Sequence, residues 1–393
     1  IRDAQESRGL GDVYKRQQYF KPFYSRLQKE IWDDSQKIFN VSIFVKKKMK
    51  GALLINLGSP DSPDPKDVKR YLGEFLMDER VIDLSKALRT FLVKGIILNT
   101  RPKKSAKAYK KIWWEEGSPL IVISKRLQQS IQKKISIPVE LAMRYGTPSI
   151  KEGIKNLVNQ GVNEIILIPL YPQFAMATTE TILVLAEEIR LQNYPQVSFT
   201  VLPPFYNHPD YIRVLSESIL ENLKGKEWEH LLFSYHGIPE KHSKISDITK
   251  SHCKIDQKCC LEKSDAHQYC YRHQCYETTN QVAKFLGLEE GKYSTSFQSR
   301  ILSAVNPWLR PYTDKVLSKF AKEGVKKMAV VTPAFVSDCL ETLEEIGMEA
   351  VEDFEKDGGE TLHVVPCIND SLEWVKVLSR WIDEWANSEM AIK

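Results

Sequence analysis

His236 closes the segment Leu231-Leu232-Phe233-Ser234-Tyr235-His236-Gly237-Ile238-Pro239, in which an apolar run stops in polar and turn-forming residues. The run reads as a buried strand, and its end places an imidazole at the C-terminal tip, where open α/β sheets gather their ligands. An imidazole titrates near neutrality, so it can take or return a proton there; as a structural residue it would only satisfy a strand end. A second apolar run, Lys327 to Val331, ends in Thr332-Pro333-Ala334-Phe335, after which Asp338, Glu341, Glu345 and Glu349 follow at spacings of three, four and four. On an α-helix that spacing lines carboxylates along one face. Beside a histidine, such a line suits acid/base work or the handling of a divalent cation; as a solvated face it would merely suit a helix N-terminus. Ser234 lacks the Gly-x-Ser-x-Gly setting of a hydrolase, and no zinc-type His/Cys spacing surrounds His236.

Five of the seven cysteines, Cys253, Cys259, Cys260, Cys270 and Cys275, share one polar segment with His252, His267 and His273. Thiolates so concentrated suit either an iron–sulfur cluster or zinc. Disulfides would require export, which the α/β pattern and the scattered remaining cysteines argue against.

The elements that must hold these residues alternate. Strands are expected at 51–57, 139–143, 164–168 and 198–202, with helices at 64–76, 149–160 and 178–193. The order restarts after Pro203-Pro204: helix 210–223, strand 230–233, the polar stretch, helix 277–286, a strand before Phe297, helix 314–322, strand 327–331, helix 338–353, strand 361–366 and a final helix 372–385. Two similar α/β halves with parallel sheets follow from this order, and the cleft between them is the expected ligand site.

A chain of 393 residues with 42% apolar content can build two or three cores. No stretch approaches the roughly 20 apolar residues that span a bilayer. The net charge of +5 is too small and dispersed for nucleic-acid binding, although basic residues gather at 46–50 and 101–111, which can favour an anionic membrane surface. Residues 1–48 read as an N-terminal extension, partly disordered or artefactual. The remaining chain divides into an α/β domain at 49–204, a second at 205–368 carrying a cysteine-rich insertion at 250–275, and a terminal helix at 369–393 packing back on the first domain.

Several pieces resemble the ferrochelatase family: Leu54-Ile55-Asn56-Leu57-Gly58-Ser59-Pro60, Gly117-Ser118-Pro119-Leu120, Met143-Arg144-Tyr145-Gly146, Pro169-Leu170-Tyr171-Pro172-Gln173, Ser234-Tyr235-His236-Gly237-Ile238-Pro239, Thr295-Ser296-Phe297-Gln298-Ser299-Arg300, Pro307-Trp308-Leu309 and Ser337-Asp338-Cys339-Leu340-Glu341-Thr342-Leu343. They run in family order between residues 50 and 385. The resemblance implies two Rossmann-like α/β domains with parallel four-stranded sheets flanked by helices, chelatase-like, with a cleft between them. It implies insertion of ferrous iron, the substrate, into protoporphyrin IX to give protoheme with release of two protons. His236 and Glu341 match the catalytic pair, and His236, Glu341 and Glu345 the residues that meet the metal; Arg144, Tyr145, Gln298, Trp308, Leu76 and Met77 fall at substrate-binding positions.

The apolar stretches 71–77 and 91–98 resemble the lip through which these enzymes take up porphyrin at a membrane surface. A cytoplasmic protein with peripheral attachment to the anionic inner membrane is therefore expected, with a homodimer, a heme-pathway enzyme and an iron donor as its protein partners. The cysteine segment resembles an insertion that carries a [2Fe-2S] cluster in some members, with Cys253, Cys260, Cys270 and Cys275 as ligands and Cys259 as the alternative to Cys260; structural zinc, or no cofactor, is the competing assignment. Cys339 stands where some relatives have histidine. Two other functions compete: a cobalt chelatase of corrin synthesis, and a non-catalytic iron–sulfur sensor that binds tetrapyrroles.

Overall fold

β1 (Lys50–Asn56) lies at the interior of the first sheet, and its almost unbroken apolar sequence is what a strand covered on both faces requires. The computed structural model describes residues 49–300 and 307–388. In the first half β1 pairs in parallel with β2 (Val139–Met143) and β3 (Glu164–Pro169), and β3 with β4 (Ser198–Val201), giving the order β2-β1-β3-β4. The second half repeats the plan with β5 (His230–His236), β6 (Tyr293–Gln298), β7 (Lys327–Val331) and β8 (Thr361–Val364) in the order β6-β5-β7-β8. Both four-stranded sheets are parallel, so their C-terminal edges collect the loops that carry chemistry.

The helices between the strands follow local signals. Ser149 and Glu152 form a reciprocal capping box that starts helix Ile150–Asn159, whose Ile150, Ile154 and Leu157 pack inward. The last helix, Leu372–Asn387, buries Trp374, Leu378, Trp381, Ile382 and Trp385 and packs against helices Pro119–Gln132 and Pro209–Leu223 and against β1. The Lys50 ammonium ties its C-terminal end, donating to the carbonyls of Trp385, Ala386 and Ser388 at 3.0, 3.0 and 2.9 Å. One apolar core is continuous across the halves, with Leu54 and Ile168 from the first sheet and Phe233 and Tyr235 from the second.

Three expectations change. The helix expected at 277–286 begins at Tyr271, which places Cys275 on a helix rather than in a loop. The α-helix expected at 338–353 is a π-helix over Glu341–Ala350 followed by an α-helical turn, Val351–Lys356. Between β1 and β2 lie elements that the periodicity did not mark: helix Lys86–Thr90, a π-helical segment Phe91–Ile97, and helices Leu98–Ile112 and Pro119–Gln132. The expectation for residues 1–48 lies outside the described residues.

Candidate active site

β5 ends on His236, whose register partner is Gln298 at the end of β6. The Gly237 amide donates to the Gln298 carbonyl at 2.7 Å, so the two strand tips stay joined one residue past the sheet. Nδ1 of His236 lies 2.6 Å from the Gly237 carbonyl oxygen. A carbonyl only accepts, so Nδ1 carries a proton and, in the neutral ring, Nε2 keeps the lone pair. The ring stands between Trp308 and Phe335, with centroids 6.4 and 6.2 Å away. Trp308 is itself buried, and its indole N–H meets no partner among the described residues. Behind the histidine, the Tyr271 hydroxyl donates to the His236 carbonyl at 2.9 Å.

The structure divides the expected row of four acids. Asp338 precedes the helix, accepting from Thr342 Oγ1 at 2.8 Å and Asn369 Nδ2 at 2.7 Å, so its carboxylate secures the helix entrance. Glu349 is exposed, whereas Glu344, which the spacing did not single out, is buried and accepts from Lys111 of the first half at 2.6 Å. Of the four acids, Glu345 feels both the His236 ring and its neighbour Glu341. Burial raises the Glu345 carboxyl above its ordinary value; the two Ser299 hydrogen bonds and the His236 ring pull it down, and Glu341 pushes it up. The Ser299 amide reaches Glu345 at 2.8 Å and its hydroxyl makes the second bond.

Glu341 lies within electrostatic range of buried tyrosines of the first half. Burial, then the charge of Glu341, pushes up the Tyr109 hydroxyl; Tyr71 is raised by burial and feels both Glu341 and Tyr145. Cys339 packs beside Glu341, its thiol raised by burial and by that carboxylate.

Arg144 and Tyr145 form a separate group around Asp78, an acid that sequence reading passed over although it directly follows the apolar helix Pro65–Met77. Asp78 accepts from Arg144 Nη2 at 2.5 Å, from Tyr145 Oη at 3.0 Å and from the Thr181 hydroxyl. The Arg144 guanidinium lies over the Tyr145 ring at 4.4 Å. Burial opposes ionisation of Asp78, yet these donors hold its carboxyl below the ordinary 3.8. Leu76 is inside a satellite core with Val93, Ile97 and Leu98, while Met77 is half-buried at its edge. Leu88, Phe91 and Ile96 of the neighbouring helices are exposed by 52, 66 and 47%.

Cys260 and Cys270 share a thiol–thiol hydrogen bond, which holds the Cys270 thiol down to about 7 and pushes that of Cys260 up. Burial and the neighbouring Cys270 push Cys253 up to about 11. The buried guanidinium of Arg272 lies near Cys259 and Cys260. Cys275 differs: it is fully buried in the continuous core, close to the Tyr271 hydroxyl. His252 and His267 bond the Cys259 carbonyl at 2.6 and 3.0 Å, and His273 that of Cys260 at 2.7 Å. Among the described residues, no group of three or more histidines, cysteines and acids is gathered closely enough to hold a metal ion.

The strand-tip site therefore offers an imidazole lone pair and two carboxylates between aromatic walls. It can accept protons from weak N–H acids and present oxygen to a divalent cation. A family model described as Ferrochelatase matches residues 49–386. The ferrochelatase of Pseudomonas syringae pv. tomato is 48% identical over 329 residues, covering 84% of this chain and 96% of that protein. That of Pseudomonas fluorescens (strain Pf0-1) is also 48% identical, covering 83 and 95%. Among solved structures, SirB from Bacillus subtilis with Fe3+ aligns with a TM-score of 0.51 at 12% identity, covering 86% of this chain and 96% of that one.

Proposed function

The chain belongs to the ferrochelatase family, and from that premise we propose how its residues divide the work. The protein inserts ferrous iron into protoporphyrin, an exchange in which two pyrrole N–H protons leave as Fe2+ enters. His236 takes these protons in turn through Nε2. The observation that carries this role is the 2.6 Å contact of Nδ1 with the Gly237 carbonyl, which makes Nε2 the accepting nitrogen of the neutral ring. Glu341 and Glu345 receive the protons from His236 and offer oxygen to iron as it sheds water. Burial of Glu345 supports its part, because a carboxyl with a raised affinity for protons accepts one nearer neutrality.

Trp308, beside His236, and Met77, at the lip, border the porphyrin plane. Arg144 and Tyr145 shape the opposite wall through Asp78, which engages both polar ends; Leu76 supports that wall from within its core. The exposed apolar residues of the lip favour peripheral attachment of a cytoplasmic protein to an anionic inner membrane. The similarity to SirB, at 12% identity, is one of fold.

His236→Ala should lower kcat by about 10²–10⁴-fold while porphyrin fluorescence still reports binding. Glu341→Gln should slow the same step less severely. Unchanged turnover of the histidine variant would remove it from the mechanism, and a preference for cobalt with a sirohydrochlorin-type ring would overturn the substrate assignment.

The cysteine segment is the proposed seat of a [2Fe-2S] cluster, held by Cys253, Cys260 and Cys270 with Cys259 as the fourth thiol in electrostatic range. The lowered Cys270 thiol and the buried Arg272 cation support thiolate ligands here, and the full burial of Cys275 in the continuous core favours Cys259 over it as the fourth ligand. Such a cluster would supply order, because Cys270 immediately precedes Tyr271, whose hydroxyl holds the His236 carbonyl. Anaerobically purified protein should contain iron and sulfide, lost in Cys270→Ser and kept in Cys275→Ser. Zinc without sulfide would reject the cluster.

A further inference from the structure

We infer that Gln298 is a positioning residue, the junction through which a buried hydroxyl chain fixes His236 against the carboxylates of the π-helix; this rests on the reaction proposed above. Gln298 sits at the tip of β6 and is 4% exposed, so its amide has almost no surface to offer a substrate. Its polar atoms are committed in three directions. Its carbonyl accepts from Gly237, directly after the histidine, at 2.7 Å. Its side-chain Nε2 donates to the Glu341 carbonyl at 3.1 Å, and its Oε1 accepts from Ser234 Oγ at 2.7 Å. Ser299, the next residue, then donates twice to Glu345.

Hydrogen-bond polarity makes this junction directional. The Glu341 carbonyl can only accept, so the amide NH2 must face it and Oε1 must face Ser234. Ser234 spends its proton on Oε1, and its oxygen must accept from Thr313 Oγ1, 2.8 Å away. Thr313 in turn accepts from Ser296 Oγ at 2.9 Å. Proton direction thus runs from Ser296 through Thr313 and Ser234 to Gln298, and the Gln298 amide closes it on the π-helix. Ser234, Ser296 and Thr313 are all buried, so water cannot replace a missing member. One residue therefore bonds the backbone at both members of the proton-transfer pair, at Gly237 directly after His236 through its own carbonyl and at Glu341 through its side chain.

A positioning role and a pocket-wall role separate in kinetics. In the full-length enzyme, Gln298→Met should lower kcat for iron insertion by about 10–100-fold and leave the porphyrin KM within about twofold, because only the geometry between His236 and the carboxylates is lost. Gln298→Glu keeps the acceptor for Ser234 and replaces only the donor to Glu341, so it should lose nearly as much. Thr313→Val should lower kcat by about 3–10-fold, and Thr313→Ser, which restores the hydroxyl, should recover it. If the Gln298 variants fail to fold, the Thr313 pair alone decides. A raised KM at unchanged kcat, or a Thr313→Val enzyme with wild-type kcat, would falsify the junction. His236→Ala serves as the separate control: retained activity there defeats the proposed reaction itself, whereas its loss together with unaffected Gln298 variants defeats this inference alone.

Discussion

Glu345 shows how a residue useful to the site weighs on the fold. Two donors from Ser299 stabilise its carboxylate, but burial outweighs them and the carboxyl lies above the ordinary 4.5. A folded-state value above the unfolded one means that the native protein binds this proton more tightly than the unfolded chain does. The stability contribution of this group therefore falls as pH rises through the window that begins at 4.5. Glu345→Gln removes the charge and keeps one oxygen to accept from Ser299. It should raise unfolding stability at pH 8 by about 0.5–2 kcal/mol, with a smaller gain at pH 5, and it should slow iron insertion. Urea denaturation at the two pH values checks the sign. A loss at pH 8, or an equal change at both, would mean that the buried charge carries no penalty. His236, by contrast, was legible as a strand-tip imidazole because an apolar run announces where a strand ends.

At the scale of elements, sequence patterns held where they depend on neighbours along the chain and gave way where distant partners decide. Capping by Ser149 and Glu152 and the apolar rows of the strands are local, so the β/α alternation could be read directly. The π-helix could not, since acids at spacings of three and four read equally well as one α-helical face. Here Glu349 is left exposed, and Asn369 and Thr342 draw Asp338 into the helix entrance ahead of the π-helix. Asp78 illustrates the same limit. Its donors Arg144 and Thr181 lie 66 and 103 residues away, and nothing around Met77 announces them. In the cysteine segment the clustering was plain, but not which thiols converge. Helix Tyr271–Leu286 starts early enough to carry Cys275 into the core, where Gln274 accepts from the Phe174 amide at 2.7 Å and fastens the segment to the first half.

For the whole molecule, the two halves are joined both behind the site and beside it. The common core lies behind it, and the Lys111–Glu344 pair connects helix Leu98–Ile112 directly to the π-helix. The same first-half layer that carries Lys111 carries the lip, so a surface gripping the lip also bears on the element holding Glu341. Leu88, Phe91 and Ile96 form the exposed apolar part, and Lys86, Lys94, Arg101, Lys103 and Lys104 are exposed around them. No helix among the described residues is long and apolar enough to cross a membrane, and the attachment proposed above rests on surface contact by the lip. Removing Leu88 and Phe91 from water should contribute about 1–2 kcal/mol each, with the cations adding an attraction that salt screens. The protein should therefore bind vesicles containing anionic phosphatidylserine better than purely zwitterionic ones, and less well as salt rises. Leu88→Ser/Phe91→Ser should weaken binding to the anionic vesicles by at least about tenfold. With a water-soluble porphyrin, the double variant should turn over like the parent, because neither side chain belongs to the proton-transfer group. Vesicle co-sedimentation and stopped-time fluorescence read the two quantities independently. Unchanged sedimentation would place the membrane contact elsewhere, whereas a fall in turnover with the soluble porphyrin would make the lip part of the porphyrin pocket itself.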